Sequence, residues 1–190
     1  MTAEIRETMS TAMSRIPPSD AIVRAVDGDR ARALVPALAE VLIDCVEHGA
    51  SVSFMSPLAR TKAEAFWTGV AESVGRGERI LLVASSGDEV VGTVQVVLAL
   101  PENQPHRGEV AKMLVHSRAR RRGLGAALMR SAEAAARAAG KSLLVLDTVT
   151  GGDAERLYAR LRWTRVGVVP DYALFPDGRP TATTIFYKAI

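Results

Sequence analysis

A single cysteine, Cys45, stands in 190 residues. That excludes an internal disulfide framework and any zinc site built on cysteines. Histidine is nearly as scarce: His48, His106 and His116 fall at no ligand spacing, and no metal is expected. Aromatic residues make up only 5%, which leaves little surface for stacking bases. An excess of charge of one sign is missing too. The 24 Lys and Arg against 21 Asp and Glu leave +3, too mild to argue for a nucleic-acid or membrane partner. No apolar run approaches the roughly 18 residues of a membrane span. The first residues mix Glu4, Arg6, Glu7, Arg15 and Asp20 with short apolar pieces and show no signal-peptide core. The expected compartment is the cytoplasm.

What is present is ample apolar material, 48% of the chain, enough for one domain burying on the order of 70% of its unfolded surface. Residues 1–19, ending at Pro17-Pro18, read as a loosely held arm, and residues 20–190 as the domain. AIVRAV (21–26) alternates as a short strand does. Leu34, Leu38, Val41, Leu42 and Cys45 follow helical spacing, with Gly49 as the stop and Pro36 marking a start or a kink. A second helix is expected to begin between Pro57 and Thr61, where Thr61 and Glu64 form a capping-box pattern. It buries Ala63, Phe66, Trp67, Val70 and Val74 and ends at Gly75.

Residues 79–85 and 90–100 read as a hairpin about Gly87-Asp88. A third long strand spans 109–115, and a helix follows to about Ala139, stopped by Gly140. Residues 142–146 are nearly all apolar, as in a strand covered on both faces; the intervening helix makes that strand parallel to its predecessor. A short helix over 153–161 precedes two last strands, 166–169 and 184–187, joined by a turn at Pro176-Asp177-Gly178. The expected class is α/β of α+β type: a mixed, mostly antiparallel twisted sheet of six to seven strands flanked by about four helices.

Between the third long strand and its helix lies VHSRARRRGLG, with four arginines in five residues and then two glycines. A strand that runs into such a turn and then a helix presents unpaired N–H groups at the positive end of the helix dipole. An anion is favoured there, and a phosphate or pyrophosphate is the natural occupant. Glycine at 123 and 125 lets a ligand approach the main chain, and the N–H groups of Arg121 to Ala126 form a nest. Arg118, Arg120, Arg121 and Arg122 add mobile positive charge. No Gly-Lys-Ser/Thr follows, so this is not a Walker loop, and the glycine spacing is not that of a dinucleotide fingerprint.

The element order resembles that of the GNAT superfamily of acetyl-CoA-dependent N-acetyltransferases. Arg120-Arg121-Arg122-Gly123-Leu124-Gly125 matches that family's pattern of Arg or Gln, two residues, Gly, one residue, then Gly or Ala. Met113-Leu114-Val115 matches the strand that meets the pantetheine arm, and Arg156-Leu157-Tyr158 with Leu161 matches the later helix with its tyrosine. The resemblance implies the GNAT fold and acetyl-CoA as co-substrate. It assigns acetyl-CoA binding to Met113, Leu114, Val115, Arg120, Arg121, Arg122, Gly123, Leu124, Gly125 and Ala126. Three positions depart from the common pattern: Ser117 where proline is usual, Arg121 where glycine is usual, and Gly151 where an asparagine often contacts the cofactor. Residues 146–190 resemble the tabtoxin-resistance type, which acetylates a small β-lactam-containing toxin.

Direct transfer needs a proton acceptor for the amine and a donor for the departing thiolate. Glu109 and Asp147, on the strands flanking the expected cleft, are the candidates to hold a basic water, and the tabtoxin-resistance resemblance implies paired acids there. Tyr158 is the candidate acid. Cys45, on an apolar helix face, reads as core. The expected partner is a small-molecule amine, with a protein amine as the alternative and a non-catalytic acyl-CoA-binding module as the third reading. A homodimer is left open.

Overall fold

The computed structural model describes residues 21–190. The arm expected over residues 1–19 lies outside them. Strands β1 (Ala21–Val26), β2 (Arg79–Ser86), β3 (Glu89–Val97), β4 (Arg107–Val115), β5 (Leu143–Val149), β6 (Thr164–Leu174) and β7 (Pro180–Ala189) form one sheet in the order β1-β2-β3-β4-β5-β7-β6. Every pair is antiparallel except β4–β5, where the crossover through a helix makes them parallel. The helices are α1 (Gly28–Ala33), α2 (Val35–Glu47), α3 (Arg60–Gly75), α4 (Leu124–Ala138) and α5 (Asp153–Arg160). No helix among the described residues is long and apolar enough to cross a membrane.

Alternation along the strands feeds two cores, one on each face of the sheet. Leu81, Val83, Val90 and Leu114 pack with α1, α2 and α3 around Leu38, Leu42 and Trp67. Leu82, Val94, Val96, Val110, Leu144, Leu146 and Phe186 pack with α4, through Leu128 and Met129, and with Tyr158 of α5.

The helical spacing of α2 is real: Leu38, Val41, Leu42 and Cys45 are all buried. Pro36 sits in its first turn, so it begins the helix and does not kink it. Ahead of it lies α1, a helix the sequence did not suggest, capped by Asp27, whose Oδ1 accepts from the Arg30 N–H at 2.7 Å. The capping box expected of Thr61 and Glu64 does not form. Helix α3 starts at Arg60 with Ala59 as its N-cap, which leaves Thr61 already inside the first turn and no side chain capping it. It ends at Gly75 as expected, and the left-handed residue that follows is Gly77 (φ +72°). Strand β5 buries one face only: Leu144 and Leu146 are covered, while Leu143 and Val145 are half-buried on the other side. Strands β6 and β7 are much longer than 166–169 and 184–187.

Candidate active site

The sheet splits between β4 and β5. The two strands pair only over residues 107–109 and 143–145, and then run on to Val115 and Val149 unpaired with each other. A bulge in β4 belongs to this split. Ala111 pairs with Gln95 but Leu114 pairs with Thr93, so β4 spends three residues where β3 spends two. Lys112 takes the strained step, at φ +48°. The β4 backbone past Glu109 therefore offers N–H and C=O groups toward the split. Met113, Leu114 and Val115 lie on this stretch.

At the far end of β4 a 3-10 turn (Ser117–Ala119) leads into the arginine turn. Arg121 (φ +60°) and Gly123 (φ +79°) are both left-handed, which turns successive N–H groups toward one side. The first backbone bond of α4 runs from Ala127 N–H to Gly123 O at 3.1 Å, leaving the N–H groups of Gly123, Leu124, Gly125 and Ala126 to another acceptor. Nothing lies within 4 Å of where a Gly123 Cβ would stand, so this point faces open space. A Gly125 Cβ would meet Leu157 Cδ2 at 3.0 Å and Met113 Sδ at 3.7 Å. Gly125 thus lets α4 lie close against α5 and β4.

The arginines go separate ways. Arg118 pairs with Glu89 at 3.1 Å. Arg120 folds back, its Nε donating to Val115 O at 3.0 Å and its Nη2 lying 3.8 Å from Cys45 Sγ. Arg121 is almost wholly exposed, 3.8 Å from Asp153. Arg122 buries Nη1 with no acceptor. An orphaned guanidinium donor, an open left-handed glycine and a free helix N-terminus together fit a phosphate group.

The acids flank the closed end of the split, Glu109 on β4 and Asp147 on β5. Val110, Leu144 and Leu146 face the α4 core, so Glu109 and Asp147 face the other way, on the side of α1–α3. Glu109 pairs with Val145, two residues before Asp147. Their Cα atoms are therefore roughly 8 Å apart, from ~4.8 Å between strands and ~6.6 Å along one, which leaves room for a water between the carboxyls. Thr183 Oγ1 donates to Asp147 Oδ2 at 3.2 Å and to Thr148 O at 3.0 Å, fixing one carboxylate oxygen and leaving the other free.

Tyr158 comes from the α4 face. Its ring sits 6.1 Å from both Trp163 and Phe186, and burial, with the Asp147 charge assisting, pushes its phenol well above the ordinary tyrosine range. Asp147 and Tyr158 belong to opposite faces of the sheet, close enough for the Asp147 charge to act on the phenol.

Comparison with known proteins decides the family. A profile described as the acetyltransferase (GNAT) family matches residues 43–162. The chain belongs to the GNAT family of acetyltransferases. Solved structures share its fold at low identity. A putative acetyltransferase from Salmonella typhimurium, yncA, solved with acetyl-CoA, superposes at TM-score 0.73 and 20% identity over 90% of this chain and 94% of that one. A ribosomal-protein-alanine N-acetyltransferase from Brucella melitensis gives 0.74 at 22% over 89% and 99%. A GCN5-related N-acetyltransferase from Kribbella flavida gives 0.74 at 21% over 92% and 100%.

Within this GNAT acetyltransferase, several site residues carry no motif. Asp44 of α2 accepts from Ser117 N–H and Ser117 Oγ, both at 2.7 Å. The serine that replaces the usual proline thus anchors the start of the arginine turn to α2. Burial raises the Cys45 thiol above its ordinary value, which suits a core residue and not a nucleophile. Lys112 leaves the bulge on the same face as the acids, donates to Ser53 Oγ at 3.1 Å and lies 5.8 Å from the Phe66 ring centroid. Over this face the β6–β7 hairpin reaches the loop before α3: Ser51 Oγ donates to Leu174 O at 2.7 Å and Ser56 N–H to Pro176 O at 3.1 Å. The signal for Lys112 was the lost alternation in EVAKMLV; nothing in the sequence pointed to the hairpin contact.

Proposed function

We propose that this GNAT acetyltransferase uses acetyl-CoA to acetylate the amine of a small molecule by direct transfer. The split between β4 and β5 carries the reading, because it joins a phosphate cradle, an unpaired strand edge, two carboxylates and a buried tyrosine. The N–H groups of Gly123 to Ala126, with Arg121 and Arg122, would hold the phosphates, and the free edge at Met113, Leu114 and Val115 would take the amide arm. Arg120 would act in this cradle by fixing Val115 O, which sets where the strand edge ends. Acetyl-CoA supplies the activated acetyl thioester.

The chain's own residues do the rest. An amine with a pKa near 10.4 is mostly protonated at pH 7, and freeing it costs about 4–5 kcal/mol. Asp147, oriented by Thr183, and Glu109 would hold a water that accepts this proton. The N–H groups of the β4 edge would face the charge that develops on the carbonyl oxygen. Tyr158 keeps its proton and would donate it to the departing sulfur.

Two hydrogen bonds support a small acceptor: they tie the β6–β7 hairpin to the loop before α3, the loop whose Ser53 meets Lys112. A peptide reading draws on the likeness to the Brucella ribosomal-protein-alanine enzyme, a likeness of fold alone. The resemblance of residues 146–190 to the tabtoxin-resistance type adds small toxins and antibiotics to the candidates, and use of acetyl-CoA is consistent with a cytoplasmic enzyme. The test is free-thiol release from acetyl-CoA against small amines, toxin- and antibiotic-like amines and peptides. Release with small amines at kcat/KM well above any peptide supports the proposal; release with peptides alone overturns it.

A further inference from the structure

The carboxylates are only half of the charge on the acceptor face. Lys112 of β4 and Arg79 of β2 are the other half. Strand pairing sets Arg79, Val97 and Glu109 in one row and Leu81, Gln95 and Ala111 in the next, so these side chains share the face that carries Asp147. An ammonium has three N–H donors, and Ser53 takes one of those on Lys112. No carboxylate of the described residues reaches Lys112 as an ion pair, although Asp147 and Glu109 are its nearest negative charges. Arg79 donates to Gln95 Oε1, yet Arg79 Nε and Gln95 Nε2 are both buried without an acceptor. Three neighbouring strands thus bring donors to one face that the protein itself leaves unanswered. Buried donors without acceptors are destabilising, and desolvation already pushes the Lys112 ammonium below the ordinary lysine value. Such a cluster is built to receive an anion.

The charges also balance. Two cations and two anions leave this face without net charge but with separated poles. A polycationic acceptor meets Lys112 and Arg79 as repulsion, and a simple amine leaves their donors empty. A molecule carrying one ammonium and one carboxylate answers both poles. We propose that Lys112, backed by Arg79 and Gln95, is the specificity-determining residue of the acceptor site. It holds the carboxylate of a zwitterionic, amino-acid-type substrate whose amine is directed at Asp147 and Glu109. This rests on the small-molecule reading above and narrows it.

The test compares matched acceptors in the thiol-release assay: free amino acids, including β-amino acids, against their carboxamides and the corresponding amines without the carboxylate. A site that expects a charged partner rejects the analogue lacking it, so kcat/KM should favour the acid by about 100-fold over its carboxamide in the wild type. In Lys112→Met that ratio should collapse to within a few-fold, mainly through KM of the acid, and Lys112→Arg should restore part of it. A thermal melt checks that each variant is folded. Should Lys112→Met not fold, Lys112→Arg and the wild-type ratio still decide the matter. Equal use of acids and carboxamides by the wild type overturns the zwitterionic acceptor while leaving small-molecule transfer intact. A ratio that survives in folded Lys112→Met overturns the role of Lys112. Transfer confined to peptides overturns this inference and the small-molecule reading together.

Discussion

Tyr158 combines a ring locked between Trp163 and Phe186 with a hydroxyl that makes no hydrogen bond to a described residue. Its proton is held firmly, because burial penalises the phenolate and the Asp147 charge penalises it further. The sign follows directly. A raised pKa keeps the donor form populated as pH rises, so kcat should show no descending limb from this residue up to its ordinary value of 10.0. Tyr158→Phe keeps the ring and removes only the donor. It should lower kcat by at least about tenfold with acetyl-CoA affinity little changed; pre-steady-state thiol release read beside calorimetric binding checks this, and unchanged turnover refutes the role. Arg122 is a different case, proposed to hold the cofactor and not to react. Its unpaired Nη1 should find an acceptor only on the phosphates, so Arg122→Ala should raise the acetyl-CoA KM several-fold at low salt. The gap between wild type and variant should narrow as salt is added.

Much of the element pattern could be read from the chain. The stops at Gly49, Gly87 and Gly140 are left-handed, the Gly87 hairpin forms, and the β4–β5 pair is parallel across its helix. What the sequence hid has identifiable causes. Helix α1 buries only Ala31, so it leaves no apolar period to detect. Strand β6 is an edge strand exposed along most of its length, and two extra residues between Val169 and Ala173 break its register. Alternation needs one covered face, and β6 has none. The capping box failed because the chain enters α3 two residues earlier than the Thr61 pattern assumes. At the site, the sequence placed Glu109 and Asp147 on flanking strands and left Lys112 unnoticed. A bulge decides which way Lys112 points, and only pairing with Gln95 and Thr93 reveals the bulge.

Across the whole molecule, the two halves of the sheet are joined by the short β4–β5 pairing and by packing around α4. Glu133 of α4 is buried there. It accepts from Lys188 Nζ of β7 at 2.8 Å on both oxygens and from Trp163 Nε1 at 3.0 Å, while Lys188 also donates to Leu161 O. This network ties the β5–β7–β6 half to α4, whose N-terminus is the proposed phosphate cradle. Removing one buried partner leaves the other uncompensated, so Glu133→Ala should cost about 3 kcal/mol. For a chain of this size that lowers Tm by on the order of 10 °C. Replacing Glu133 and Lys188 together with Leu and Met should recover only part of the loss, since the ion pair goes as a unit but the buried Trp163 N–H is left without an acceptor. Differential scanning calorimetry of the single and double variants distinguishes the two outcomes.

Joining those halves matters to the proposed mechanism, in which the acids and the tyrosine would act from opposite faces of one split. The most direct check on that arrangement is turnover of Asp147→Asn, which keeps the shape and the acceptor for Thr183 while removing the base. The expected result is a fall in kcat of at least about 100-fold with acetyl-CoA binding retained, and a smaller fall for Glu109→Gln. Full turnover in Asp147→Asn would contradict proton removal at the β4–β5 split.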